Sequence, residues 1–204
     1  MIVMAVGQGV FNKILVHISV NTVAAYQVAG RLDMLVFLPI FSIAASLTTL
    51  VGMFYGAKEY GALRYIIKYG IFSALLITII SSTIVYTFAG HVVRFFTDDA
   101  SIVIIAVNFL QIFAFAYPFI SVGITTGRVL QGLGKGLPVL IITIVRVLGV
   151  SAPLALFFVF IMDKTVEWVW YSMMLSTIVA FGIGLTWLIS TLKTLPTSGQ
   201  SLNN

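Results

Sequence analysis

The sequence predicts an all-α polytopic membrane protein, a bundle of six transmembrane helices, and three observations carry that expectation. Hydrophobic residues make up 60% of the 204-residue chain and charged residues only 8%, giving a mean hydropathy of +1.13. A soluble domain carries about 25% charged residues because its surface faces water. A chain this poor in charge needs lipid as the solvent for most of its surface. Apolar runs of membrane-crossing length recur along the chain, each near the roughly 20 residues that cover about 30 Å of hydrocarbon. Charge, glycine or proline marks every break between them, a series that buried soluble bundles do not show.

In order, the expected spans are residues 1–19, 23–55, 65–88, 101–123, 137–162 and 166–192. The first is interrupted only by Asn12 and Lys13. The second holds Arg31 and Asp33 and is long enough to bend at Pro39. Connections fall at 20–22, 56–64, 89–100, 124–136 and 163–165, and residues 193–204 read as a polar cytoplasmic tail that frays. Residues 1–10 lack a basic n-region, so no cleavable signal is expected.

Lys58, Arg64, Lys68, Arg128, Lys135 and Lys193 collect on one side. Arg94 and Lys164 lie on the other, beside Asp98, Asp99, Asp163 and Glu167. The positive-inside rule puts the first set in the cytoplasm. An even number of spans then leaves both termini cytoplasmic, as in a multi-pass protein of the inner (plasma) membrane.

Several function classes are excluded. With no cysteine there is no disulfide, thiolate metal site or cysteine nucleophile. The net charge of +5 comes from basic residues scattered singly, so they read as topology signals and no nucleic-acid partner is expected. The run from Gly132 to Gly136 meets neither the dinucleotide nor the Walker spacing. His17 and His91 both fall near the outer interface and do not read as a metal or haem pair. The chain is expected not to be an enzyme and to hold no cofactor or metal.

Polar groups placed in hydrocarbon ask for a partner or a water-filled cavity. Asp33 lies about ten residues into its span, ~15 Å deep and near the midplane. Arg31 and Lys13 sit at shallower depth in the same hairpin, and antiparallel pairing places Gln8 opposite Asp33. The cluster is either a cation or substrate site or an ion pair of Asp33 with Arg31 or Lys13. Arg146, about nine residues into the fifth span, must face the bundle interior. It attracts an anionic group, pairs with Asp33, or bonds helix carbonyls near Ser151 and Pro153. In the fourth span Asn108, Gln111 and Tyr117 suggest one polar stripe, which either lines a cavity or ties helices together. Pro39, Pro118 and Pro153 interrupt spans and are candidate hinges.

The segment Thr22-Val23-Ala24-Ala25-Tyr26-Gln27-Val28-Ala29-Gly30-Arg31-Leu32-Asp33, followed by Pro39, resembles a segment of the multidrug and toxic compound extrusion (MATE) family. So do Val51-Gly52-Met53-Phe54-Tyr55-Gly56-Ala57-Lys58, Phe95-Phe96-Thr97-Asp98-Asp99, Gln131-Gly132-Leu133-Gly134-Lys135, and Arg146 with Pro153. The resemblance implies the C-terminal six-helix lobe of a two-lobe transporter. It implies efflux of small organic cations and amphipathic compounds in exchange for Na+ or H+. It also implies a second six-helix lobe as partner, either an N-terminal half or another subunit. Where some branches of the family hold acids, this sequence offers Gln8, Asn12 and Lys13, then Asn108 and Gln111, which leaves Asp33 as the acid available for an ion site. Two alternatives stand beside this reading: a flippase for lipid-linked saccharides from the same superfamily, and a membrane fragment or scaffold that does not transport.

Overall fold

Apolar runs in lipid must bond their own backbone groups, and the chain does so with helices. The computed structural model describes residues 2–196; the outermost residue of the first span and the tail residues 197–204 lie outside them. Six rods follow one another: α1 (Ile2–Ile18), α2 (Val20–Gly56), α3 (Tyr60–Arg94), α4 (Ala100–Gly132), α5 (Leu137–Ile161) and α6 (Glu167–Lys193). By length and composition α2 to α6 are each able to cross a membrane. With 17 described residues, α1 covers about 26 Å.

The rods run longer than the apolar spans. Helix α3 continues through Arg94 and α4 through Gly132, where the sequence suggested connections from 89 and from 124. Hydropathy marks only the part of a helix that crosses hydrocarbon. The overrun of α4 is held by packing: Val129 and Leu130, with Leu133 just beyond the helix, join Leu47 and Val51 of α2 and Leu63 of α3 in one core, while Ala89 and Val93 of α3 are buried in the other. The first connection is a single residue. Ser19, with φ −170° and ψ 157°, caps α2 by accepting from the Thr22 amide at 3.1 Å. At the opposite end of the bundle Asp99 caps α4, accepting from Ser101 N at 2.8 Å. After α4, Gly134 takes φ +76°, a conformation costly for other residues, and the Lys135 amide closes the turn on Leu130 O at 2.8 Å.

Helix α4 is the hub and packs against α2, α3 and α6. Its buried residues lie all round the helix and include Phe109, Phe113, Tyr117, Thr125 and Val129. Helix α3 sits at the margin. Tyr65, Phe72 and Ile80 are 71%, 61% and 55% exposed, an apolar surface that water would not tolerate and lipid does. At the Gly132 end of the α2–α4 contact the two backbones approach closely. A β carbon on Gly132 would lie 2.7 Å from Thr48 O and 3.0 Å from Val51. Arg64 of α3 donates to the carbonyls of Leu192 and Leu195 at 3.2 and 3.0 Å, closing the open end of α6.

The close approach has a measurable consequence. Gly132→Leu must push α2 and α4 apart, an overpacking cost of about 1–3 kcal/mol. Its melting temperature in detergent should fall by several degrees. Gly182→Ala, with no atom within 4 Å of the added methyl and a better helix former in place of glycine, should not lower it. Equal melting temperatures for Gly132→Leu and the parent would contradict the contact.

Candidate functional site

Asp33 lies on α2, partly buried, and its neighbour is supplied by α4. The Tyr117 hydroxyl donates to Asp33 Oδ1. Tyr117 itself is fully buried, and Phe37, one turn beyond Asp33, sets its ring edge-to-face on the tyrosine at 5.2 Å. Carboxylate and ring thus hold the tyrosine from one face of α2. An ion pair with Arg31 is disfavoured by geometry, since positions two apart on a helix point in different directions. Arg31 and Lys13 are both exposed.

Two turns before Asp33, Tyr26 stacks on Trp170 of α6 with centroids 5.8 Å apart and planes 11° apart. Phe109 of α4 closes this group, 4.8 Å from Trp170 and 5.7 Å from Tyr26. Trp170 is completely buried and its indole N–H has no partner.

Beside this aromatic group two cavities adjoin. The outer one, about 270 Å³, is bounded by α1, α2, α4, α5 and α6, with Gln8, Tyr26, Arg146 and Ser176 in its wall. The inner one, about 290 Å³, runs down α4, α5 and α6 towards Arg128 and Gln131. Arg146, Ile120 and Thr177 belong to the walls of both. Arg146 sits in a seven-residue π-helical stretch, Val145–Ser151, and a second such stretch follows at Phe157–Ile161. Wider turns of this kind are frequent at functional sites. Between the two stretches lies Pro153.

The polar stripe expected on α4 separates into two faces. Asn108 donates to Glu167 Oε1 at 2.8 Å, tying α4 to the start of α6. Tyr117 turns instead to α2. Nine residues at about 100° each set the two on opposite sides of the helix, so no single stripe joins them. Gln111 is half-buried and walls neither cavity. Gln8 and Arg146 come together around the outer cavity, whereas Asp33 is held by Tyr117 outside its wall. Pro39 is exposed on α2, and Pro118 directly follows Tyr117 in α4. The carbonyl that Pro118 leaves without its helical donor, Ala114 O, accepts instead from the Ser82 hydroxyl of α3, a repair that lipid requires.

Residues 1–157 match the protein family described as MatE. The chain belongs to the MatE family. A probable multidrug resistance protein NorM from Thermotoga maritima is 28% identical over 153 residues, 75% of this chain and 33% of that protein. A probable multidrug resistance protein NorM from Bacillus cereus is 28% identical over 177 residues, 85% of this chain and 37% of that one. A solved MOP superfamily transporter from Pyrococcus furiosus superposes with a TM-score of 0.88 at 26% identity, covering 95% of this chain and 44% of that chain. The chain therefore spans about a third of the length of the curated relatives it matches.

In this MatE chain, three features of the site escape a reading of charge alone. Tyr26 and Trp170 are aromatic and look like any core pair in the sequence. Thr126 is 1% exposed, belongs to the wall of the inner cavity, and its hydroxyl has no partner. The signal for Tyr26 was its spacing of seven from Asp33, two helical turns on one face.

A double-mutant cycle tests the bond between α2 and α4. Asp33→Ala and Tyr117→Phe should each destabilise the folded chain by about 1.5–3 kcal/mol, the range for hydrogen bonds to charged groups. Together they should cost less than their sum by about 1 kcal/mol or more. Strict additivity in reversible unfolding would show that the two side chains act independently.

Proposed function

We propose that this chain is one lobe of a secondary transporter that exports amphipathic organic compounds, organic cations among them, in exchange for Na+ or H+. The observation that carries the reading is the Asp33–Tyr117 bond, an acid tied to the central helix beside two cavities that gather the bundle's interior polar groups. In hydrocarbon an acid is expensive to keep, and such acids mark ion and proton pathways. A coupling cation arriving at Asp33 competes with the Tyr117 hydroxyl for the same oxygen. Binding there loosens α2 from α4, which is the step an exchanger needs between its two orientations. Pro118, adjacent to Tyr117, and Pro153, between the wide turns of α5, are the hinges on this reading. Pro39 is a third, halfway along α2.

The lobe acts with a partner. Because it covers 44% of the solved transporter, a second six-helix unit supplies the other wall of the cargo route. That unit is an N-terminal half or another subunit. All six helices cross the inner (plasma) membrane, and the Lys and Arg distribution keeps both termini cytoplasmic. The lipid bilayer lies against the exposed face of α3. No cofactor takes part.

Efflux of a fluorescent organic cation from proteoliposomes under an imposed Na+ or proton gradient tests the reading. The chain should exceed empty vesicles once its partner lobe is co-reconstituted, and Asp33→Asn should reduce the gradient-driven rate at least about tenfold, the loss expected for a group that carries the coupling ion. An undiminished Asp33→Asn rate would remove Asp33 from the coupling mechanism.

A further inference from the structure

The cavities around Arg146 carry a charge pattern that cation exchange leaves unused. Their charged wall residues are Arg146, shared by both, and Arg128 at the cytoplasmic end of the inner one. Among the described residues that wall them there is no aspartate or glutamate. We infer that the inner cavity, with Arg146, is a binding site for an amphipathic anion, separate from the Asp33–Tyr117 pair. Its ligand is a carboxylate, sulfonate or phosphate group on an aromatic or aliphatic body. The inference rests on the reading of this chain as a solute-binding lobe and names a class of solute for it.

Three features fit such a ligand. On α5, Val139, Ile142, Thr143 and Arg146 recur at three- and four-residue intervals and present one face to the cavity, ending in the guanidinium. A planar guanidinium offers paired donors that match two oxygens of one anionic group, and it is more weakly hydrated than an ammonium. Across the cavity Thr126 contributes a buried hydroxyl without a partner, a donor free for a third oxygen. Phe119 and Phe181 meet edge-to-face at 5.3 Å, and with Phe41 they form the apolar wall for the ligand's body. A cation in the same space would face guanidinium groups with no wall carboxylate to offset them.

The test uses two probes with one aromatic body and opposite charge, naphthalene sulfonate and naphthyl trimethylammonium, both tritium-labelled. Each is dialysed to equilibrium against the full chain in zwitterionic lipid nanodiscs. The sulfonate should bind saturably and more tightly than the ammonium. Arg146→Gln should weaken sulfonate binding about tenfold, the loss of one charge-assisted hydrogen-bonded contact. Arg146→Lys should restore part of it. Thr126→Val should weaken it several-fold in a site whose arginine is intact. Arg94→Gln, which removes a guanidinium from the outer end of α3, should change nothing. Repeating the dialysis with phosphatidylglycerol in the disc separates the sources of such a group. Displacement of the probe assigns the pocket to a lipid phosphate, and retention assigns it to free aryl anions; both support anion recognition. Ammonium binding as tight as sulfonate, with no effect of Arg146→Gln, would overturn the anion site and leave the solute-binding lobe standing. Absence of saturable binding by either probe would overturn both.

Discussion

In hydrocarbon a polar group has no water to fall back on, so each one must carry its partner within the protein or sit beside a cavity. That constraint orders this molecule. The backbone satisfies itself in six long helices. Hydroxyls inside them bond back to carbonyls one turn earlier, as Thr78 does to Ala74 and Thr143 to Val139. Most of the charged residues lie at the helix ends, and those that remain inside gather where the interior is polar. Asp33 is matched by the Tyr117 hydroxyl, and Arg146 faces the two cavities. A lone charge at mid-depth costs roughly 2.5–3.5 kcal/mol even on lenient insertion scales, which is why its position is informative.

The same constraint divides the bundle into a lipid side and a solute side. Helix α3 turns tyrosines, phenylalanines and isoleucines outward and has no share in either cavity wall. Helices α2, α4, α5 and α6 contribute to the walls of both cavities, with α1 completing the outer one. The link between these sides is α4, fixed to α2 by the close approach at Gly132 and by the tyrosine at its centre. The wide turns of α5 sit opposite this hub, so the helix that presents Arg146 is also the one whose backbone departs from regular α geometry.

Much of this was legible in the residues. Hydropathy locates the rods because lipid demands it, and the buried acid at position 33 stands out because acids are rare there. Helix ends were not legible: past the hydrocarbon, α3 and α4 continue on interfacial packing such as Leu63 against Val129 and Leu130, which no single window of hydropathy reports. Nor was the partner of Asp33. Charge suggested Arg31 or Lys13, yet both are exposed, and an uncharged tyrosine from a helix 84 residues away forms the bond. Asn108 and Tyr117 looked like one stripe from the short gap to Gln111, but their ninefold spacing puts them on opposite faces. The cavities themselves arise from how α4, α5 and α6 splay, a property of three helices together.

The central claim is that α4, α5 and α6 enclose a water-accessible cavity while α3 faces lipid. The natural absence of cysteine allows it to be measured directly. Single cysteines at Gly123 and Thr143, in the wall of the inner cavity, are compared with cysteines at Phe72 and Ile80 on the exposed face of α3. In bilayers a hydrophilic, membrane-impermeant maleimide should modify the first pair readily and leave the second pair unreacted. Equal protection of all four, or preferential labelling on α3, would contradict the account.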